Sequence, residues 1–187
     1  MKNLITLITF LSLIRMAASQ ELPIPHVYMR HLNGELVSSE SLLQPGHPTL
    51  LVIWNPDIPQ SNLEAVYEAW QTGLKAIGCR MVLVPSGYSG PYTSIRPMLD
   101  GNGYEFNAVF IDINGEFRRS LGIGPGPCII LVFDENKHFL SRLDGNVQGS
   151  AEEIAKSIFN MLGIPVPEQL SAEKPAVEAL PRIRDRP

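Results

Sequence analysis

Thr49-Leu50-Leu51-Val52-Ile53-Trp54, followed by Asn55-Pro56-Asp57-Ile58-Pro59-Gln60-Ser61 and an amphipathic run to Ile77, is the stretch that decides the fold. Its first six residues are nearly all apolar with no alternation, the pattern of a short strand buried on both faces. The period then changes. Leu63, Val66, Tyr67, Trp70, Leu74 and Ile77 fall at helical spacing, Ser61 and Glu64 form a capping box, and Gly78 supplies a stop. A second apolar run at 80–84 reads as another buried strand, so strand, helix and strand alternate here.

Outward from this unit the alternation continues. Upstream, extended segments at 27–32 and 35–38 flank Asn33-Gly34, which predicts a hairpin with a two-residue turn. Downstream, residues 86–104 are rich in Gly and Pro and leave room for one short irregular helix, and 108–112 is a third inner strand. Asn114-Gly115 turns into a short helix near 117–121, then 128–133 and 139–143 form a hairpin around Glu135-Asn136-Lys137. A last amphipathic helix spans 150–162, with Ser150 and Glu153 as a second capping box and Gly163 as its stop. This order predicts an α/β fold, a central mixed β-sheet with helices on both faces and an N-terminal β-hairpin.

The two ends separate from this domain. Lys2 precedes an apolar run over 4–14, and Ala17 and Ser19 occupy the small-residue positions for cleavage before Gln20. That run is too short for a bilayer, which needs roughly 20 residues, so residues 1–19 read as an export signal. No Cys follows it to carry a lipid anchor. After Gly163 the chain mixes Lys/Arg with Asp/Glu around Pro165, Pro167, Pro175, Pro181 and Pro187, and shows neither helical nor strand period. The expected organisation is a signal at 1–19, a domain at 20–163 and a Pro-rich charged tail at 164–187, extended or docked on the surface.

Composition narrows the function. The 187 residues are 44% hydrophobic and carry a net charge of −4, enough apolar content for one core and no basic stripe for nucleic acid. The chain has only two cysteines, Cys79 and Cys128, and four histidines, which excludes a disulfide scaffold and a cysteine zinc ribbon. His26, His31, His47 and His138 lack ligand spacing, since two strand histidines five apart point to opposite faces. No metal site and no cofactor is indicated. Gly122, Gly124 and Gly126 are interrupted by Pro125 and precede a strand, not the helix a phosphate loop requires.

Three local motifs in this order resemble the thioredoxin superfamily, and within it the exported redoxin-like proteins of the TlpA type. Residues 49–54 resemble the strand that runs into the family's active site and ends in Trp. The run from Gly122 through Gly124-Pro125-Gly126-Pro127-Cys128 to Asp134 resembles the family's cis-proline loop and the strand after it. Glu135-Asn136-Lys137 and Arg142-Leu143-Asp144-Gly145 resemble the following hairpin and turn. The resemblance covers residues 23–163 and implies a cis peptide between Gly126 and Pro127.

The departure from that family lies just after Trp54. Its active members begin the next helix with Cys-x-x-Cys, and the resemblance places Ile58, Pro59, Gln60 and Ser61 at those positions. Dithiol exchange needs a thiolate and a resolving thiol, and neither isoleucine nor serine supplies one. The resemblance implies that Asp57, Ile58, Gln60, Gly126 and Pro127, with Pro59 and Ser61 beside them, line a groove for an extended peptide. Gly126 is expected to leave its N–H and C=O free for strand pairing. Ile58 and Gln60 are expected to be exposed and to face Pro127. Asp57 is expected to sit against the amides of the following helix.

Two function classes stay open. One is an exported protein, periplasmic or secreted and not inserted in the membrane, that binds a peptide or partner protein without catalysis. The other uses Cys128 as a single redox thiol at the rim of the former site, against the alternative that Cys128 is a small buried hydrophobe. A disulfide between Cys79 and Cys128 is not expected, because the two should sit at opposite ends of the sheet.

Overall fold

Strand β3 (Thr49–Trp54) lies at the centre of the sheet, buried along its whole length as its unbroken apolar sequence requires. The computed structural model describes residues 22–58, 63–126, 128–144 and 151–171. The export-like segment, both capping-box serines, Pro127 and the chain after 171 lie outside the described residues. The strands are β1 (Tyr28–His31), β2 (Leu36–Ser38), β3, β4 (Arg80–Pro85), β5 (Ala108–Ile111), β6 (Cys128–Phe133) and β7 (Phe139–Asp144). They form one seven-stranded mixed sheet in the order β2-β1-β5-β4-β3-β6-β7. β3 pairs in parallel with β4 and antiparallel with β6, and β4 pairs in parallel with β5.

Side-chain alternation along these strands builds two cores. Leu50, Val52, Trp54, Met81, Leu83, Ile130 and Val132 pack with α1 (Leu63–Ala69), α2 (Ile95–Gly101) and α4 (Ala151–Met161). Leu51, Ile53, Val82, Val84, Ile129 and Leu131 pack on the other face with Phe117 of α3 (Glu116–Ser120) and the N-terminal segment around Val27. Each such aliphatic side chain contributes about 1.5–3 kcal/mol of burial free energy. The α/β architecture, the mixed sheet and the N-terminal hairpin all match the expectation from sequence.

Local details depart from it in three places. The hairpin loop has three residues, not two: His31 donates its N–H to the Glu35 carbonyl and Gly34 turns at φ 94°. Asn-Gly fits this bulged loop as well as the tighter turn, and the Asn33 side chain caps it by accepting from the Glu35 N–H. The helix after β3 is not regular to its end. α1 runs into a π turn (Trp70–Leu74) and a 3-10 turn (Lys75–Ile77) before Gly78 closes it at φ 75°. Trp70 is anchored there, its indole N–H donating to the Cys79 carbonyl at 2.7 Å.

The third departure concerns the start of the expected tail. Ile164 and Val166 pack against the core, and a short helix α5 (Glu168–Ser171) buries Leu170. Gly73 makes this docking feasible, because a Cβ there would stand 2.9 Å from Leu170 and 3.0 Å from Phe159. Segment 164–171 carries too few apolar residues to show a period, yet those few find a groove between helices.

Candidate functional site

The carboxyl ends of β3, β4 and β5 deliver three loops to one edge of the molecule, where open α/β sheets place their ligand crevices. The loop after β3 folds back on itself: Asn55 Oδ1 accepts from the Asp57 N–H at 3.0 Å, and the Ile58 N–H reaches the Asn55 carbonyl. Asp57 is exposed, and its Oδ2 accepts from the Ser89 N–H at 2.7 Å, tying this loop to the one after β4. The described partner of that carboxylate is thus a neighbouring loop amide, and the expected contact with the first amides of the next helix falls on residues 59–62, outside the described residues. Ile58 is half-buried rather than openly exposed. Pro59, Gln60 and Ser61 lie outside the described residues, as does Pro127 and with it the expected cis peptide.

The loop before β6 is held by a residue that sequence reading passed over. Arg118 is only 5% exposed, its Nε donates to the Gly124 carbonyl at 2.8 Å, and its Nη2 donates to the Gly124 and Gly126 carbonyls. The half-buried Gly126 thus offers a carbonyl that already accepts one bond from a guanidinium, with its second lone pair left for a further donor. Burial pulls the Arg118 pKa down, and the nearby Asp112 carboxylate pushes it back up. Asp112, itself 5% exposed, accepts from the Ser86 hydroxyl at 2.8 Å and from the N–H groups of Phe117 and Arg118. Three donors satisfy the buried carboxylate, and here it fixes the start of α3. The signal for this lay in Asp112 standing four residues ahead of Glu116, before a helix too short to hold itself.

Beside this clamp lies an open cleft of about 350 Å³, bordered by Asn55, Ser86, Tyr88, Ile113, Arg118 and Pro125. Among the described residues no group of three or more His, Cys, Asp or Glu side chains gathers as metal ligands would. No described helix is long and apolar enough to cross a membrane.

No family model matches the sequence, and no curated protein matches it. Solved structures do. An uncharacterized thioredoxin-like protein from Porphyromonas gingivalis is 22% identical over 78% of this chain and 95% of its own, with a TM-score of 0.63. A secreted Mycobacterium tuberculosis disulfide oxidoreductase homologous to Escherichia coli DsbE is 15% identical over 72% of this chain and 96% of its own, at 0.56. StoA from Bacillus subtilis is 17% identical over 72% of this chain and 97% of its own, at 0.54. The fold is thioredoxin-like.

In this thioredoxin-like domain both thiols are out of reach. Cys128 opens β6 opposite Trp54, at the site end of the sheet, but is 1% exposed. Cys79 enters β4 at the Thr49 end of β3, is 3% exposed and, like Cys128, is free. The length of β3 separates them by about 16 Å, well beyond disulfide reach. Burial pushes each thiol from its ordinary 9.0 up to about 12; a backbone hydrogen bond at Cys79 and the Arg118 charge at Cys128 pull weakly the other way.

This has a consequence for alkaline stability. Between pH 9 and 12 the unfolded chain has lost both thiol protons while the folded chain keeps them. The folded state then binds more protons, so stability is complete below pH 9 and falls as pH rises toward 12. Each thiol contributes at most about 1.4 kcal/mol per pH unit to that loss. Urea denaturation at pH 7, 9 and 10.5 should show a steeper decline for the wild type than for the Cys79→Ala/Cys128→Ala variant. Equal declines would mean that the thiols are not buried as described.

Proposed function

We propose that this protein is a non-catalytic thioredoxin-like domain that binds an extended peptide or a partner protein at the edge formed by the β3, β4 and β6 loops. One observation carries the reading: no cysteine stands between β3 and α1, while the chain's only two thiols are buried. Redox exchange is left without a nucleophile, yet the loops that surround that position are tied in place by Asp57 and Arg118. The hydrogen bonds that hold the described parts of these loops beside an open cleft favour recognition over a merely inert scaffold. The buried state of Cys128 argues against the single-thiol alternative.

The same proposal places the protein outside the cytoplasm. The character of residues 1–19 supports this, as does the description of the Mycobacterium tuberculosis neighbour as secreted.

A phage-displayed peptide library provides the test. The wild-type protein should enrich one related set of peptides, and Ile58→Asp should bind the best of them at least about ten-fold more weakly, because a charge replaces apolar contact area. Its folding stability should change by less than about 1 kcal/mol, as expected where a side chain is half-solvated. Failure to enrich any peptide set, or strong destabilisation by Ile58→Asp, would remove the groove.

A further inference from the structure

A second cleft, of about 280 Å³, opens between the N-terminal hairpin and the segment leading into α2. Arg30, Tyr92, Thr93, Arg96 and Ile111 are among its lining residues, and none of the lining residues is acidic. That is unexpected on a chain with 19 acidic and 15 basic side chains. We infer that this cleft binds an oxyanion, a phosphate or carboxylate group, held between the guanidinium groups of Arg30 and Arg96.

Both arginines line the cleft, and neither forms an ion pair with a carboxylate among the described residues. Arg30 lies on β1 between Leu36 of β2 and Ile111 of β5. Its Nη1 donates to the Gly34 carbonyl at 2.6 Å, and its guanidinium carbon stands 5.8 Å from the centre of the Tyr92 ring. These two contacts fix the plane of the guanidinium. Its Nε is buried with no acceptor, the kind of orphan donor that an ordered water or ion satisfies in native proteins. Arg96 is exposed in the first turn of α2 and makes no hydrogen bond or ion pair among the described residues.

Two unneutralised guanidinium groups on one small cleft repel each other, and an anion between them reverses that sign. The planar fork of arginine also suits the geometry of carboxylate and phosphate oxygens. His31 lines the same cleft, but its ring packs edge-on against Phe110 at 5.4 Å and is not counted as a ligand group.

The test is an NMR titration of the isotope-labelled protein with inorganic phosphate and, separately, with succinate, at ionic strength held constant by sodium chloride. Saturable shifts should appear at the amides of Tyr92, Thr93 and Arg96 and at the Arg30 side chain. Arg96→Gln and Arg30→Gln should each weaken binding by about ten-fold or more, the loss expected for one charge-assisted pair. Lys156→Gln, on α4, should not change it. Saturation by phosphate alone identifies a phosphate site, and saturation by succinate alone a carboxylate site. Shifts that never saturate, or that persist unchanged in both arginine variants, overturn the inference.

Discussion

Incubated with insulin and dithiothreitol, the purified protein will reduce insulin disulfides no faster than a control without protein. Turnover requires a thiolate that can attack and a second thiol that can release the product. Residues 55–62 contain no cysteine, and the sequence holds thiols only at 79 and 128. With a pKa of about 12, either thiol at pH 7 supplies on the order of 10⁵-fold less thiolate than a redox cysteine with a pKa near 7. Burial then removes access to the little that forms. Robust turnover that survives replacement of both cysteines by alanine would mean that the catalytic group lies elsewhere.

Arg118→Met will lower folding stability by about 3 kcal/mol, whereas the adjacent Arg119→Met will cost under about 1 kcal/mol. The difference follows from what each guanidinium does. Arg118 is buried, spans the Gly124 and Gly126 carbonyls and offsets the charge of the buried Asp112. Methionine fills similar volume but leaves those carbonyls without their donor and a buried carboxylate without its counter-charge. Arg119 is exposed, and among the described residues its guanidinium makes one bond, from Nη1 to the Asn114 carbonyl at 2.6 Å. Urea titration of both variants checks the contrast. Equal costs would show that the loop before β6 holds its shape without Arg118.

How much of this was legible in the sequence depends on where the information resides. β3 and β6 were read to the residue, because each is a closed run of apolar side chains bounded by turn formers, and burial on both faces leaves nothing ambiguous. The helix after β3 was found from its 3.6 period, but the π turn at Trp70–Leu74 was not. That turn answers to tertiary contacts, the Trp70 bond to the Cys79 carbonyl and the crowding of Gly73 by Leu170, which a local pattern does not encode. The site was read in part. The absence of cysteine from residues 55–62 is visible in the sequence, and the burial of Cys128 was foreseen as one of two alternatives. Arg118 was missed for a physical reason: Arg118-Arg119 in a short polar helix looks like a solvated pair until the loop at 124–126 closes over one of them. The guanidinium bond to the Gly126 carbonyl was missed for the same reason.

Recognition without thiol chemistry is tested most directly by the affinity of the Cys79→Ala/Cys128→Ala variant for a peptide selected by the wild-type protein. Fluorescence anisotropy with and without dithiothreitol should give the wild-type dissociation constant within about two-fold in all cases, since RT ln 2 is only about 0.4 kcal/mol. Mass spectrometry of the wild-type complex under denaturing, non-reducing conditions should show no covalent adduct. Loss of binding in the cysteine-free variant, or a reductant-cleavable adduct at Cys128, would contradict the account.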